Sequence, residues 1–187
     1  MRELSLNILD IVQNSIKANA TLIGITVKAD FDCDMLVITI TDNGHGMEKE
    51  FLERVLDPFT TTRTTRKVGM GLPFFKQSAE MAGGTLKIQS TPGEGTIVTA
   101  EFRLSSIDRM PLGDLADTMG VLLLDIGDKD YRLEYSVKCG EEQTFEFDTR
   151  EVRQIYEGMP LDDYEVASAL KDYIKENINA INGGLDL

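Results

Sequence analysis

The chain has 187 residues, of which 42% are hydrophobic, enough to bury one good core or one core with a small appendage. Its 32 acidic and 19 basic side chains leave a net charge of −13, which argues against unaided binding to DNA, RNA or an anionic membrane, whose phosphates would be repelled. No run of about 18 apolar residues is present, and Met1-Arg2-Glu3-Leu4 leads straight into an amphipathic pattern, so a soluble cytoplasmic protein without a leader or membrane span is expected.

In chain order, residues 4 to 20 place Leu9, Val12, Ile16 and Ala20 at helical spacing, which predicts a helix with one buried face. Leu22 to Ala29 and Met35 to Thr41 are β-branched runs joined by Asp30-Phe31-Asp32-Cys33-Asp34, a hairpin pattern. Glu48 to Val55 reads as a short helix ended by Asp57-Pro58. The stretch Thr60 to Lys67, rich in Thr and Arg and lacking periodicity, predicts a mobile loop. A further helix is expected over Leu72 to Met81, with Pro73 in its first turn and Gly83-Gly84 closing it. Thr85 to Ser90 and Thr96 to Leu104 then form a second hairpin across Pro92-Gly93-Glu94-Gly95.

Beyond residue 104 the composition changes. Residues 1–104 carry 13 acidic and 11 basic side chains and residues 105–187 carry 19 and 8, net −2 against −11. This asymmetry places a boundary: a domain over 1–104, a linker over 105–113, and a small acidic α+β domain over 114–187. In the last, a strand is predicted at Val121 to Ile126, a hairpin at Tyr131 to Lys138 and Gln143 to Asp148, and helices at Arg150 to Glu157 and Tyr164 to Ile178. Val166, Leu170, Tyr173 and Ile174 would form the buried face of the second helix. Alone this segment barely suffices for a core, so it is expected to dock on the first. Its acidity suits a basic protein partner, or plain solubility. Cys33 and Cys139 are far apart without metal-ligand spacing, which predicts reduced thiols of no special role.

Four pieces of the first domain carry chemistry. Asp10, Asn14 and Lys17 are spaced by four and three, so one helix face presents all three. Thr41-Asp42-Asn43-Gly44-His45-Gly46-Met47 sits at a strand end, Gly69-Met70-Gly71-Leu72 opens a helix whose N–H groups could hold phosphate, and Gly95-Thr96 begins the last strand. Each has a bland reading by itself: a solvated helix face, a common Asp-Asn-Gly turn, a hairpin residue.

In this order the four resemble the ATP site of the GHKL superfamily, which includes histidine-kinase catalytic domains, anti-sigma kinases, type II topoisomerases, mismatch-repair ATPases and heat-shock chaperones. The resemblance covers roughly residues 3 to 104 and implies an α+β fold, a two-layer α/β sandwich with helices on one face of a mixed sheet. It implies ATP and Mg²⁺ as cofactors. Asn14 would be the Mg²⁺ ligand bridging the phosphates, with Lys17 facing them. Asp10 takes the catalytic position where hydrolysing relatives carry a Glu that polarises water; being one methylene shorter, it implies slow hydrolysis. Asp42 would accept the adenine exocyclic amine, Gly44 and Gly46 would let the backbone approach the base, Met47 would pack on the purine, and Thr96 would fix the base through water. Gly69, Gly71 and Leu72 would border the phosphates, and Arg63, Arg66 and Lys67 would supply the cations of a lid.

The single histidine, His45, lies inside the adenine box, so a phosphoacceptor within this chain, and with it a complete two-component sensor, is not expected. The acidic tail is likewise poorly suited to act as the transducer domain of the topoisomerase and mismatch-repair branches. Three functions stay open under the resemblance. One is a Mg·ATP-dependent regulatory switch for a partner protein. Another is a kinase acting in trans, as an anti-sigma-type serine kinase or a split histidine kinase. The third is a non-catalytic nucleotide sensor accessory to a redox or hydrogenase-type system.

Overall fold

The computed structural model describes residues 3–55, 71–156, 158–185 and 187. Within them the chain runs through α1 (Leu4–Lys17), β1 (Leu22–Asp30), β2 (Met35–Asp42), α2 (Lys49–Val55), α3 (Gly71–Met81), β3 (Thr85–Thr91) and β4 (Gly95–Arg103). It continues through α4 (Leu115–Leu124), β5 (Asp130–Cys139), β6 (Glu141–Asp148), α5 (Thr149–Ile155) and α6 (Tyr164–Asn182). The strands form one six-stranded sheet in the order β3-β4-β2-β1-β5-β6. All neighbours pair antiparallel except β1 and β5, which run parallel, so the sheet is mixed.

Alternation decides which face is buried. Ile23, Ile25, Val27 and Ala29 on β1 align in register with Leu36, Ile38 and Ile40 on β2, and with Tyr131, Leu133, Tyr135 and Val137 on β5. These side chains share one face, against which α1, α3 and α6 pack, with α4 seated on α6. The opposite face carries pairs such as Lys28–Glu134 at 2.7 Å and Arg132–Glu146 at 3.1 Å, the polar half of the period-two pattern. The expected two-layer sandwich is observed.

Both expected hairpins of residues 22–104 and the later hairpin are present. Three readings change. The run Val121 to Ile126 is not a strand: Val121 to Leu124 are the last turn of α4, Asp125 is its C-cap and Ile126 lies beyond, while the start of the helix is fixed by Asp114 accepting the Asp117 N–H at 2.8 Å. Leu115, Ala116, Met119, Leu122 and Leu123 form a buried stripe at i, i+1, i+4, i+7 and i+8, but a reading that begins at Val121 takes in too few residues to show that period, and a short apolar run does not distinguish helix from strand. The buried stripe of α1 is Leu4, Ile8, Ile11, Val12 and Ser15; Leu9 and Ile16 lie at its margin. On α6, which extends to Asn182, Tyr173 is half exposed and meets Phe145 edge-on at 5.7 Å, while Ala167, Ile174 and Ile178 are buried.

The segment 105–113 is tied down at both ends. Asp34 accepts the Ser105 N–H at 2.8 Å and the Ser105 hydroxyl at 2.7 Å. Further on, the carbonyls of Pro111 and Leu112 accept the N–H groups of Leu4 and Ser5 at 3.0 and 2.8 Å. Those are first-turn donors of α1, which has no side-chain cap, so the backbone of this segment does the capping. Residues 114–187 then continue the sheet and share one hydrophobic cluster with the first part of the chain. Cys33 and Cys139 are free and exposed. Among the described residues no helix is long and apolar enough to cross a membrane.

Candidate functional site

The site gathers at one end of the sheet, where β2 stops and β4 begins. Asp42 is the last residue of β2 and the register partner of Ile23 on β1 and Thr96 on β4. Its carboxylate is held from two sides: Oδ1 accepts the Gly44 N–H at 2.9 Å, and Oδ2 accepts the Ser15 hydroxyl at 2.6 Å. A carboxylate has about four lone-pair sites. Two are thus used in fixing its orientation, and the others can meet an external donor such as an amine. Ser15 is 3% exposed and lies on the buried side of α1, so this contact is shielded from competing water.

The loop after Asp42 is pinned at every step. Asn43 accepts the N–H groups of Thr21 and Leu22 with its Oδ1, both at 2.9 Å. The His45 N–H donates to the Ala18 carbonyl at 2.9 Å, and the His45 carbonyl accepts the Gly93 N–H at 2.9 Å. The imidazole Nδ1 lies 2.6 Å from the Gly46 carbonyl, an acceptor, so that nitrogen carries the proton. Gly46 has φ +64°, and a Cβ there would run into the Thr91 carbonyl; Gly95, at φ +127°, would strike the Asp42 carbonyl. Glycine at these two positions is demanded by protein against protein.

Ser90 connects the loop to the last strand. Its Oγ accepts the Met47 N–H at 2.8 Å and donates to the Gly95 carbonyl at 2.9 Å, so the Thr96 hydroxyl, 2.9 Å away, donates to Ser90. Thr96 is left with its own lone pairs as acceptors beside Asp42. Met47 is partly buried and packs on the core edge.

Along α1, Asp10 and Lys17 are exposed and Asn14 is half-buried. A Cβ built on Gly71 would sit 3.0 Å from the Asp10 Cβ and 3.5 Å from its Oδ2, so Asp10 abuts the first turn of α3. That turn presents N–H groups without intrahelical acceptors, save at Pro73, which has none. Leu72 is buried and belongs to the core. The structure therefore brings Asp42, Gly44, Gly46, Met47 and Thr96 into one cluster with the α1 C-terminus, and sets Asp10 against Gly71. The expected lid cations Arg63, Arg66 and Lys67, and Gly69, lie outside the described residues. Ser15, Asn43 and Ser90 escaped sequence reasoning. Asn43 could have been found from the Asp-Asn-Gly turn chemistry, whereas Ser15 and Ser90 carry no local signal.

Comparison with known proteins gives the family to which this fold belongs. Residues 2–106 match the family of histidine kinase-, DNA gyrase B- and HSP90-like ATPases, and the chain belongs to that family. It thus holds a GHKL nucleotide-binding domain of the histidine-kinase-like kind. A non-motile and phage-resistance protein of Caulobacter vibrioides is 35% identical over 101 residues, 49% of this chain and 12% of that protein. The sensor histidine kinase ZraS of Salmonella typhi is 33% identical over 93 residues, 49% of this chain and 20% of that protein. A putative sensor protein of Shewanella frigidimarina is 34% identical, over 54% of this chain and 16% of that protein. The chain thus matches a fifth or less of each relative's length. The crystal structure of the N-terminal domain of a DNA repair protein superposes with a TM-score of 0.52 at 16% identity, covering 77% of this chain and 52% of that one, a likeness of fold alone.

Proposed function

We propose that this protein is a Mg·ATP-operated switch that changes its affinity for a partner protein in the cytoplasm. The observation that carries the nucleotide part is Asp42: a carboxylate oriented by Ser15 and Gly44, beside the acceptor Thr96, at the position to which the resemblance gives adenine binding. Asn14 offers a hard amide oxygen on the helix face between Asp10 and Lys17. Such a donor suits Mg²⁺, which takes few protein oxygens and completes its shell with phosphate and water. Mg²⁺ there would neutralise phosphate charge; the chain's own part is to hold adenine on Asp42 and Thr96 and the phosphates near the first turn of α3.

Calorimetry tests this reading. ATP with Mg²⁺ is expected to bind the wild type and to prefer adenine over guanine. Asp42→Asn removes a charge-assisted hydrogen bond of about 1.5 to 3 kcal/mol, a loss of roughly ten- to a hundredfold in affinity. Asn14→Ala should abolish the Mg²⁺ dependence while the fold stays intact. Equal ATP affinity in wild type and Asp42→Asn would defeat the adenine assignment.

The sensor histidine kinase among the relatives favours a second reading, transfer of the γ-phosphoryl group to a partner in trans. Labelled ATP separates the two: label on a partner supports transfer, while partner affinity that changes with nucleotide and no labelled partner supports the switch.

A further inference from the structure

The groove between α4 and α6 lies outside residues 2–106, the part that matches the ATPase family. Its floor is Gly120, Ala167 and Ser168, and it opens to about 290 Å³. Three large apolar side chains stand around it in solvent: Val121 at 51% exposure, Leu124 at 47% and Tyr164 at 74%. Single exposed apolar residues are ordinary, but three converging on one concave, mostly apolar groove are the mark of a contact surface. Gly120 is what keeps the floor low. A Cβ at that position would sit 3.0 Å from the Lys171 Cδ, so the lysine stem crosses the helix there on its way to Asp117, 3.3 Å from its Nζ.

The rim is acidic. Asp117 lies one turn before Val121, Asp125 follows Leu124, and Asp163 and Glu165 flank Tyr164, all of them exposed. The neighbouring lysines offset only part of this: Lys171 pairs with Asp117 and Lys175 with Asp114 at 2.8 Å, which leaves Asp125, Asp163 and Glu165 as the rim's surplus of negative charge. A second copy of the chain would bring the same acidic rim against itself, and an anionic lipid surface would be repelled.

We infer that the α4–α6 groove docks a basic amphipathic helix of another protein, with apolar side chains at i, i+3 or i+4, and i+7 seated over Val121, Leu124 and Tyr164 and with Lys or Arg on its flanks facing the acidic rim. Charge complementarity is the ground for this occupant: the helix supplies the cations that residues 105–187, at net −11, lack. The surface is the docking face of the proposed switch and rests on that reading for its regulatory meaning, but the docking itself does not require nucleotide.

The test uses the full chain and a fluorescently labelled 18-residue Leu/Lys peptide patterned as an amphipathic helix, followed by anisotropy with and without Mg·ATP. Saturable binding that weakens with added salt is expected. The double variant Leu124→Ala/Tyr164→Ala changes exposed side chains and no charge, so it should stay folded by circular dichroism, keep its ATP affinity, and lose at least tenfold in peptide affinity. A peptide of the same composition with its leucines scattered around the helix should bind at least tenfold more weakly. Unaltered binding by the double variant, equal binding of the scattered peptide, absence of saturable binding, or self-association that the double variant abolishes would each overturn the inference. Peptide binding indifferent to Mg·ATP would leave the groove standing and defeat the switch; loss of ATP binding in Asp42→Asn with peptide binding intact separates the two sites.

Discussion

Ser15 is a polar residue on the buried side of α1, and the one proton of its hydroxyl goes to Asp42. Removing it leaves Asp42 with one anchor in place of two, so Ser15→Ala should weaken ATP binding by about 0.5 to 1.5 kcal/mol, roughly two- to tenfold, with little change in melting temperature. Calorimetry beside a thermal melt checks this; unchanged affinity would show that Gly44 alone orients the carboxylate. Asp10 presents the other residue-scale question. A general base contributes about 10² to 10⁴ in rate and must lie within about 3.2 Å of its water, so a side chain one methylene short should leave intrinsic hydrolysis weak or undetectable. Asp10→Glu should raise phosphate release or leave it unchanged, and Asp10→Asn should abolish whatever exists. Rapid release that survives Asp10→Asn would exclude Asp10 from the chemistry. Asp42 and its glycines were legible because their chemistry is packed into seven consecutive residues. Ser15 was not, since its partner lies 27 positions away and nothing in Asn14-Ser15-Ile16 marks it.

At the scale of elements, helices announce themselves where polar and apolar residues alternate with period 3.6, and α4 shows what happens when too little of the period is read. Its capping residue Asp114 follows a glycine and precedes Leu115-Ala116, seven positions before the leucine-rich stretch Val121 to Ile126, which by itself looks like a strand. The cap has a measurable consequence. Burial tends to raise the Asp114 pKa, but the Lys175 ammonium and the Asp117 N–H outweigh it, holding the carboxyl below its usual range. Since the folded pKa is depressed, the stabilisation is present above the ordinary carboxylate range and is lost as pH falls through the lowered pKa, below about pH 4. Melting temperature is therefore expected to fall steeply below that pH, and Asp114→Asn should flatten part of the slope while lowering stability at neutral pH. Melts recorded from pH 3 to 7 decide it; identical slopes in the two proteins would remove Asp114 from the acid response.

Over the whole molecule, the expected two-layer sandwich was legible because the hairpins and the matched boxes are local. That β5 lies along β1 was not. The pairing from Leu22↔Asp130 to Asp30↔Lys138 is parallel, without a connecting turn to betray it. The same pairing predicts how a truncated chain behaves. Ending at residue 104 would turn β1 into an open edge, uncover Ile23, Ile25 and Val27 on its helix side, and strip Leu4 and Ser5 of the carbonyls that cap α1. Such a fragment is expected to aggregate or to melt far below the full chain, read by sedimentation and calorimetry. A soluble monomer of equal melting temperature would show that residues 105–187 contribute nothing to the sheet's stability.

The parallel seam between β1 and β5 also sets a timetable. Every other strand pair except β2 with β4 closes through a tight turn, whereas Asp30 must wait for Lys138, 108 residues later. At a synthesis rate of about 5 to 20 residues per second, β1 would leave the ribosome and stand with one side unpaired for roughly 5 to 20 seconds before its neighbour exists. During that interval Lys28, exposed in the middle of the strand, is the kind of charge that discourages a wrong chain from pairing there, and the nascent protein is at its most dependent on chaperones.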